Sequence, residues 1–375
     1  MAEAWARQLT RWMDAGLIEE ETAVRIRAFE AEHADSSRLR WPVLIALAFG
    51  ALTIAAGALL FVSAHWDSLS PEVRFALVTS LVAVFHVGGA LTAERFPAMA
   101  TTMHAIGTAA LGAGIFLAGQ IFNLDEHWPG GLMLWALGAA LAWALLRSWP
   151  QTAFVALLAP AWLLAEWSVA VPNQWSVAAY RVSACGAFLL AIAYLTNIRS
   201  EPAGSQRRAL AWLGGICLLP IAPYLSFAAA ERGVGVQPLS TELQAVGWTV
   251  AVGLPAIVAI GLRRAAAWPN LLATCWTLVL FSLRPSPDGV ALYAWWAISA
   301  TALAAWGVVE RRSERINLGA AIFAATVVTF YFSHVMDKLG RSASLIGLGL
   351  LFLIGGWAIE RARRRLVVAA RGGLL

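Results

Sequence analysis

Apolar residues along this chain come in long unbroken blocks, each closed by charge, proline or glycine, not in the alternating pattern of half-buried strands. The blocks predict twelve spans: Val43–Ala64, Phe75–Thr92, Met103–Phe122, Leu132–Leu146, Thr152–Val171, Val177–Thr196, Ala209–Ala230, Leu243–Leu262, Trp268–Leu283, Val290–Val309, Ile316–Phe332 and Ala343–Ile359. Most hold the roughly 17 to 25 residues that a helix rising about 1.5 Å per residue needs to cross about 30 Å of hydrocarbon. The fourth and ninth are short, as a re-entrant or half-inserted segment would be. Backbone N–H and C=O groups in lipid must be paired within their own segment, and solid apolar runs are not barrel strands, so the pattern predicts helices throughout.

The blocks are preceded by a different pattern. Trp5, Leu9, Trp12 and Met13 recur at helical spacing up to Gly16, which suits a left-handed helix end. Glu19, Glu20 and Glu21 then place negative charge on the first turn of a second helix, which Val24, Ile26 and Phe29 carry to about Glu32. Residues 1–40 are thus read as a short helical hairpin, 41–360 as the membrane domain and 361–375 as a basic tail. A DNA-reading helix-turn-helix is disfavoured because Glu3, Asp14, Glu19, Glu20, Glu21, Glu30, Glu32 and Asp35 outnumber Arg7, Arg11, Arg25, Arg27, Arg38 and Arg40. The first forty residues are too charged for a cleavable signal peptide, so the first span is expected to act as an uncleaved anchor.

Composition agrees with the pattern. Hydrophobic residues make up 60% of the 375 and charged residues 13%, which a soluble fold could not accommodate. The charge is distributed unevenly. Arg95, Arg147, Arg199, Arg207, Arg208, Arg263, Arg264, Arg311, Arg312 and Arg315 fall in alternate loops, with the basic residues of both ends. The other loops carry only Arg74, Arg232, Arg284, Lys338 and Arg341, with Arg181 just inside a span. This asymmetry predicts both termini in the cytoplasm of a bacterial inner-membrane protein, and it assigns the high pI to topology rather than to nucleic-acid binding. Trp41, Trp66, Trp128, Trp149, Trp167, Trp175 and Trp268 fall at span ends, where an indole suits the headgroup level. Cys185, Cys217 and Cys275 stand singly inside spans, so neither a disulfide frame nor a zinc knuckle is indicated.

"RWMDAGLIEEETAVRI" before the first span, "AHWDSLSPEVRF" after it, "GAGIFLAGQIFNL" in the third and "ERINLGAAIF…YF…ERARRRL" near the end resemble a bacterial family of predicted polytopic membrane proteins of the DUF2157 type, a domain of unknown function. The resemblance covers the N-terminal hairpin, the first four spans and the last two, and leaves Trp149 to Pro285 outside it. It implies a multi-span membrane protein and brings no activity, substrate or catalytic residue.

Function therefore has to be read from polar groups at membrane depth, which are costly to bury. Gln120 and Asn123 share one face near the outer end of the third span, where an interhelical hydrogen bond or a helix cap is the expected role. His86 in the second span and His104 at the cytoplasmic end of the third are expected to be satisfied by neighbours, with a proton relay as the sharper alternative. Glu166 and Arg181 flank one outer loop and are placed to pair with each other or to snorkel to water. Ala110, Gly114 and Ala118, four apart, form a small-residue packing face. Predicted outer loops gather His65, Asp67 and Glu72, then Asp125, Glu126 and His127, then His334 and Asp337. These are ligand types suited to zinc or manganese, though their spacing is no metal signature. No HExxH, GxSxG or paired aspartates occur within the spans, and no Gly-rich loop with its lysine, so neither an intramembrane enzyme nor a nucleotide or other cofactor is indicated. The favoured reading is a non-enzymatic scaffold, assembly or regulatory component that holds a membrane partner through its cytoplasmic hairpin. The alternative is a small-solute or ion transporter, which the prolines at 160, 220, 223 and 255 would suit.

Overall fold

The computed structural model describes residues 9, 11–34, 69–121, 127–172, 176–198, 203–231, 239–283, 285–286, 289–335, 346–347, 349–350, 353, 355–357, 360–361 and 363–365. The first predicted span, most of the twelfth, and Trp41, Trp66 and Trp175 lie outside the described residues. Among those described, all regular structure is helical. The chain divides into two compact units, Met1–Arg74 and Phe75–Leu375.

In the first unit a helical turn at 11–14 ends at Gly16, whose φ of +67° places it in the left-handed region. The Gly16 and Leu17 amides donate to Met13 O (2.9 Å) and Trp12 O (3.0 Å), the paired bonds of a Schellman stop. Helix α1 follows as Glu20–Ala34 with Glu20 and Glu21 in its first turn, and Leu9 and Ala23 are buried. Helix α2 begins at Pro71, with Ser70 donating to the Glu72 carboxylate at 2.6 Å.

From α2 onward the helices are Pro71–Thr92 (α2), Pro97–Ile121 (α3), Pro129–Leu146 (α4), Trp149–Ala170 (α5), Val177–Leu195 (α6), Ser205–Ala230 (α7), Thr241–Arg263 (α8), Trp268–Leu283 (α9), Val290–Val309 (α10) and Ser313–Phe330 (α11). Proline sets several starts, at the first position of α2, α3 and α4 and the second of α5 and α9, where its missing N–H costs nothing. Left-handed arginines make several stops: Arg147 after α4, Arg264 after α8 and Arg311 after α10 have φ of 49°, 53° and 55°.

Nine stretches among the described residues are long and apolar enough to cross a membrane, fewer than the sequence count. They cover the ten predicted segments from Phe75 to Phe332, because the eighth and ninth fall in one run, Thr241–Leu283, interrupted by a 3-10 turn at Arg264–Ala267. The run doubles back: Trp248 near the start of α8 meets Phe281 near the end of α9, ring centroids 5.8 Å apart. With 16 residues, α9 spans only about 24 Å, which explains why it does not count on its own.

Helix α6 is the most enclosed of the candidate spans. Its Ala184, Cys185, Phe188 and Leu189 pack with Leu218 and Leu225 of α7, Leu280 and Phe281 of α9, and Trp295 of α10. The α6–α7 crossing needs Gly214, since a Cβ there would lie 2.4 Å from Leu195 N and 2.5 Å from Ala191 O. Tryptophans also build this core. Trp276 and Trp295 stack at 5.8 Å, and the indoles of Trp295, Trp276 and Trp296 donate to Trp276 O, Ser299 Oγ and Ser226 Oγ. Trp128, Trp149 and Trp268, in contrast, are more than half exposed at helix ends, as an interface role requires. Trp167 departs from that expectation: it is partly buried, and its indole donates to Ala179 O.

Hydroxyls inside the spans close onto their own helices, as Thr277 onto Ala273 O and Thr326 onto Ile322 O. Pro160 frees the carbonyl of Ala156 within α5, and the Tyr194 hydroxyl of α6 takes it at 3.3 Å.

Candidate functional site

The two histidines read separately from the sequence meet in the structure. His86 of α2 and His104 of α3 approach with Nδ1 atoms 3.1 Å apart, so one ring donates and the other accepts. Each ring seats where the facing helix has no side chain. A Cβ on Gly107 would lie 2.7 Å from the His86 ring, and one on Gly89 would lie 2.9 Å from the His104 ring. The pair is continuous with a buried polar network. The fully buried Gln151 donates to His104 O at 3.1 Å, and the Thr108 hydroxyl has His104 O (3.1 Å) and Gln151 Oε1 (3.0 Å) as acceptors. Trp135 Nε1 donates to Thr108 O at 2.8 Å. Four helices, α2 to α5, thus converge on one polar centre within apolar surroundings. Chemically, the pair can hold one shared proton between its rings, while a second would face an imidazolium 3.1 Å away. Gln151, Thr108 and Trp135 were not singled out from sequence. The only signal was their chemistry, an amide one residue before the fifth predicted span and an indole just inside the start of the fourth.

The outer groups do not converge on a common centre among the described residues. Nowhere there do three or more His, Cys, Asp or Glu side chains come close enough together to hold a metal ion. His65, Asp67, Asn123, Asp125, Glu126 and Asp337 lie outside the described residues, and Gln120 is exposed one residue before the end of α3. Glu166 does not go to Arg181. Its carboxylate accepts from Trp162 Nε1 at 2.8 Å and lies 3.0 Å from His127 Nε2, whereas Arg181 caps the C-terminal end of α7 by donating to Ala228 O and Glu231 O, each at 3.1 Å. The reason is direction. A guanidinium near the start of α6 faces a neighbouring helix end, whose last carbonyls have no partner within their own helix. His334 sits on a π-helical turn, Tyr331–Val335, stacked on Phe330 at 4.9 Å and edge-on to Tyr293. Gly114 of the predicted small-residue face packs on Val78, its Cβ position 3.2 Å from Cγ1.

A third polar centre was read from sequence only as loop charge. Arg263, at the end of α8, and Arg315, in the first turn of α11, are both 2% exposed. Both reach the carboxylate of Glu310, the residue that closes α10, with Arg315 Nη1 at 2.6 Å. Both also donate to Thr196 O at the end of α6, and Arg315 to Ile198 O at 2.7 Å. Trp306 roofs the group, its indole on Glu310 at 2.8 Å and its ring under both guanidinium carbons at 5.2 and 5.3 Å. Asn270 of α9 donates to Thr196 Oγ1. Burial pushes the Glu310 carboxyl up, but hydrogen bonds from Arg263, Trp306 and Arg315 outweigh it and hold the group below its ordinary value. Further on, Arg363 and Arg364 hold the exposed Glu360 carboxyl down to about 2.

Residues 10–152 match the model of a family described as "Predicted membrane protein (DUF2157)", whose function is unknown. The match takes in α1 to α4, the start of α5, and the whole His86–His104 network, and it does not extend to the C-terminal pieces that also suggested a resemblance. No curated protein and no solved structure matches the chain.

Proposed function

We propose that this membrane protein is a non-enzymatic scaffold, assembly or regulatory component of a bacterial cytoplasmic membrane, with both ends of the chain in the cytoplasm and the segment around α1 as the partner-docking module. What carries the reading is where the charge goes. Arg263, Arg315 and Glu310 are committed to one another and to the carbonyls of Thr196 and Ile198 at helix ends, which fastens helices together and offers no coupling group along a path. Exposed apolar residues in α1, Val24 and Phe29, suit a partner helix. The test is a mild-detergent pull-down from native membranes of the intact protein and of a form lacking residues 1–36. A partner retained by the intact chain and lost on deletion is expected.

One observation favours a second reading, a transporter of a small solute or ion: the His86–His104 pair is a titratable couple within candidate spans. Substrate-dependent or proton-dependent flux in reconstituted vesicles, abolished by His86→Ala and His104→Ala, would overturn the scaffold reading in favour of this one.

A further inference from the structure

An apolar cleft of about 280 Å³ opens between α5, α6 and α8. Its long walls run on α5 from Pro160 to Ala170 and on α8 from Leu243 to Pro255. At about 1.5 Å per residue these are walls of about 15 to 18 Å, half of the roughly 30 Å hydrocarbon thickness. The positions agree with the lengths, since Pro160 is the twelfth of the 22 residues of α5 and Ala170 is its last. The cleft therefore opens at one end of the helices and extends to the middle of α5 and about two thirds of the way along α6 and α8, to Leu190 and Pro255, roughly the depth of a chain from a single leaflet.

Its sides face outward as well as inward. Leu164, Val246 and Val250 on its rim are 41%, 60% and 41% exposed, so a lipid can enter sideways without crossing the bundle. Its lining is apolar apart from two side chains. Ser183 is already engaged with the Tyr224 hydroxyl at 2.7 Å. Glu166 lies one turn from the end of α5, at the depth where a lipid's headgroup begins. Its carboxylate is fixed in place by Trp162 and His127, yet it is partly exposed, with side-chain accessibility of 34%.

We propose that this cleft binds one acyl chain of a membrane lipid whose headgroup carries an ammonium group, the ammonium donating to Glu166. An anionic headgroup would bring like charge against the carboxylate. A quaternary ammonium could be attracted but has no N–H to donate. The chain supplies affinity through burial, and Glu166 supplies the choice between headgroups.

The experiment is native mass spectrometry of the full chain in detergent, titrated with phosphatidylethanolamine, phosphatidylcholine and phosphatidylglycerol of identical acyl composition. The intact protein is expected to retain phosphatidylethanolamine about two- to fivefold over either of the others, the range of a part-exposed charge pair. Glu166→Gln should bring the three to near equality while total lipid bound is unchanged. Val250→Trp, at the exposed rim, should lower retention of all three without changing the melting profile. The proposal is overturned if Glu166→Gln leaves the headgroup preference as it was, or if Val250→Trp leaves retention as it was. It also falls if Val250→Trp changes the oligomeric mass instead, which would make the cleft a contact between copies of the chain.

Discussion

At the scale of single residues, the glycines opposite the two histidines make the sharpest forecast. Gly107→Ala puts a methyl 2.7 Å from the His86 ring, and the packed ring must move, so a loss of about 1 to 3 kcal/mol is expected in thermal or denaturant unfolding in detergent. Gly119 lies on the same helix with no neighbouring atom within 4 Å of its Cβ position, so Gly119→Ala should leave stability unchanged or raise it by up to about 1 kcal/mol. If both glycines respond alike, the ring seats do not govern packing. Gln151→Leu strips His104 O of an amide donor and leaves Thr108 without its amide acceptor, a loss of about 1 kcal/mol by the standard of hydrogen bonds between membrane helices. The sequence showed that His86 and His104 would need neighbours, because an imidazole is costly in hydrocarbon. It did not show that they would be each other's neighbours, since residues 18 apart meet only after an antiparallel return whose register no local pattern encodes.

At the scale of elements, the helices were legible and their end-to-end locks were not. Apolar runs mark α2 to α11 to within about six residues at each end because backbone pairing in lipid leaves no other solution. Arg263 and Arg315 were read as loop charge, since a charge count registers the side of the membrane and not whether a guanidinium turns inward. The acidic Glu310 beside the basic Arg311 and Arg312 was the one local hint. The lock leads to a test. Glu310→Gln leaves two arginines 2% exposed without their carboxylate, and removing one partner of such a buried group costs about 3 to 5 kcal/mol. Acid should act in the same direction. The folded-state pKa of Glu310 lies below the ordinary value of about 4.3, so its contribution is complete above that value and is lost as pH falls through the folded one. Melting temperature followed from pH 7 downward should therefore drop on the acid side, and Glu310→Gln should flatten that part of the drop. An acid limb unchanged in the variant would mean that other carboxylates set it.

At the scale of the whole helical unit, side-chain bonds put successive hairpin turns at one end, independently of any charge count. Arg147 O, after α4, accepts from Gln206 at the start of α7. Thr196 O, after α6, accepts from Arg263 at the end of α8, and both Arg263 and Arg315 hold Glu310 between α10 and α11. Gln151, at the start of α5, reaches His104 near the start of α3, which adds the α2–α3 turn to the same end. These are the turns that carry the arginine excess, so the proposed orientation, resting on the positive-inside rule, predicts that whole end on the cytoplasmic side. Single cysteines test it in a background where Cys217 and Cys275 are alanine and the buried Cys185 is kept. Glu94→Cys, Arg208→Cys and Ala265→Cys, all at exposed positions of that end, should react with a membrane-impermeant maleimide only after the cytoplasmic face is opened. His127→Cys and Glu242→Cys, at the starts of α4 and α8, should react in intact cells. The reverse pattern would invert the orientation and keep the architecture. Labelling of Glu94→Cys from one face and Ala265→Cys from the other would break the architecture itself, because two turns tied to one end through buried bonds cannot lie on opposite sides of a bilayer.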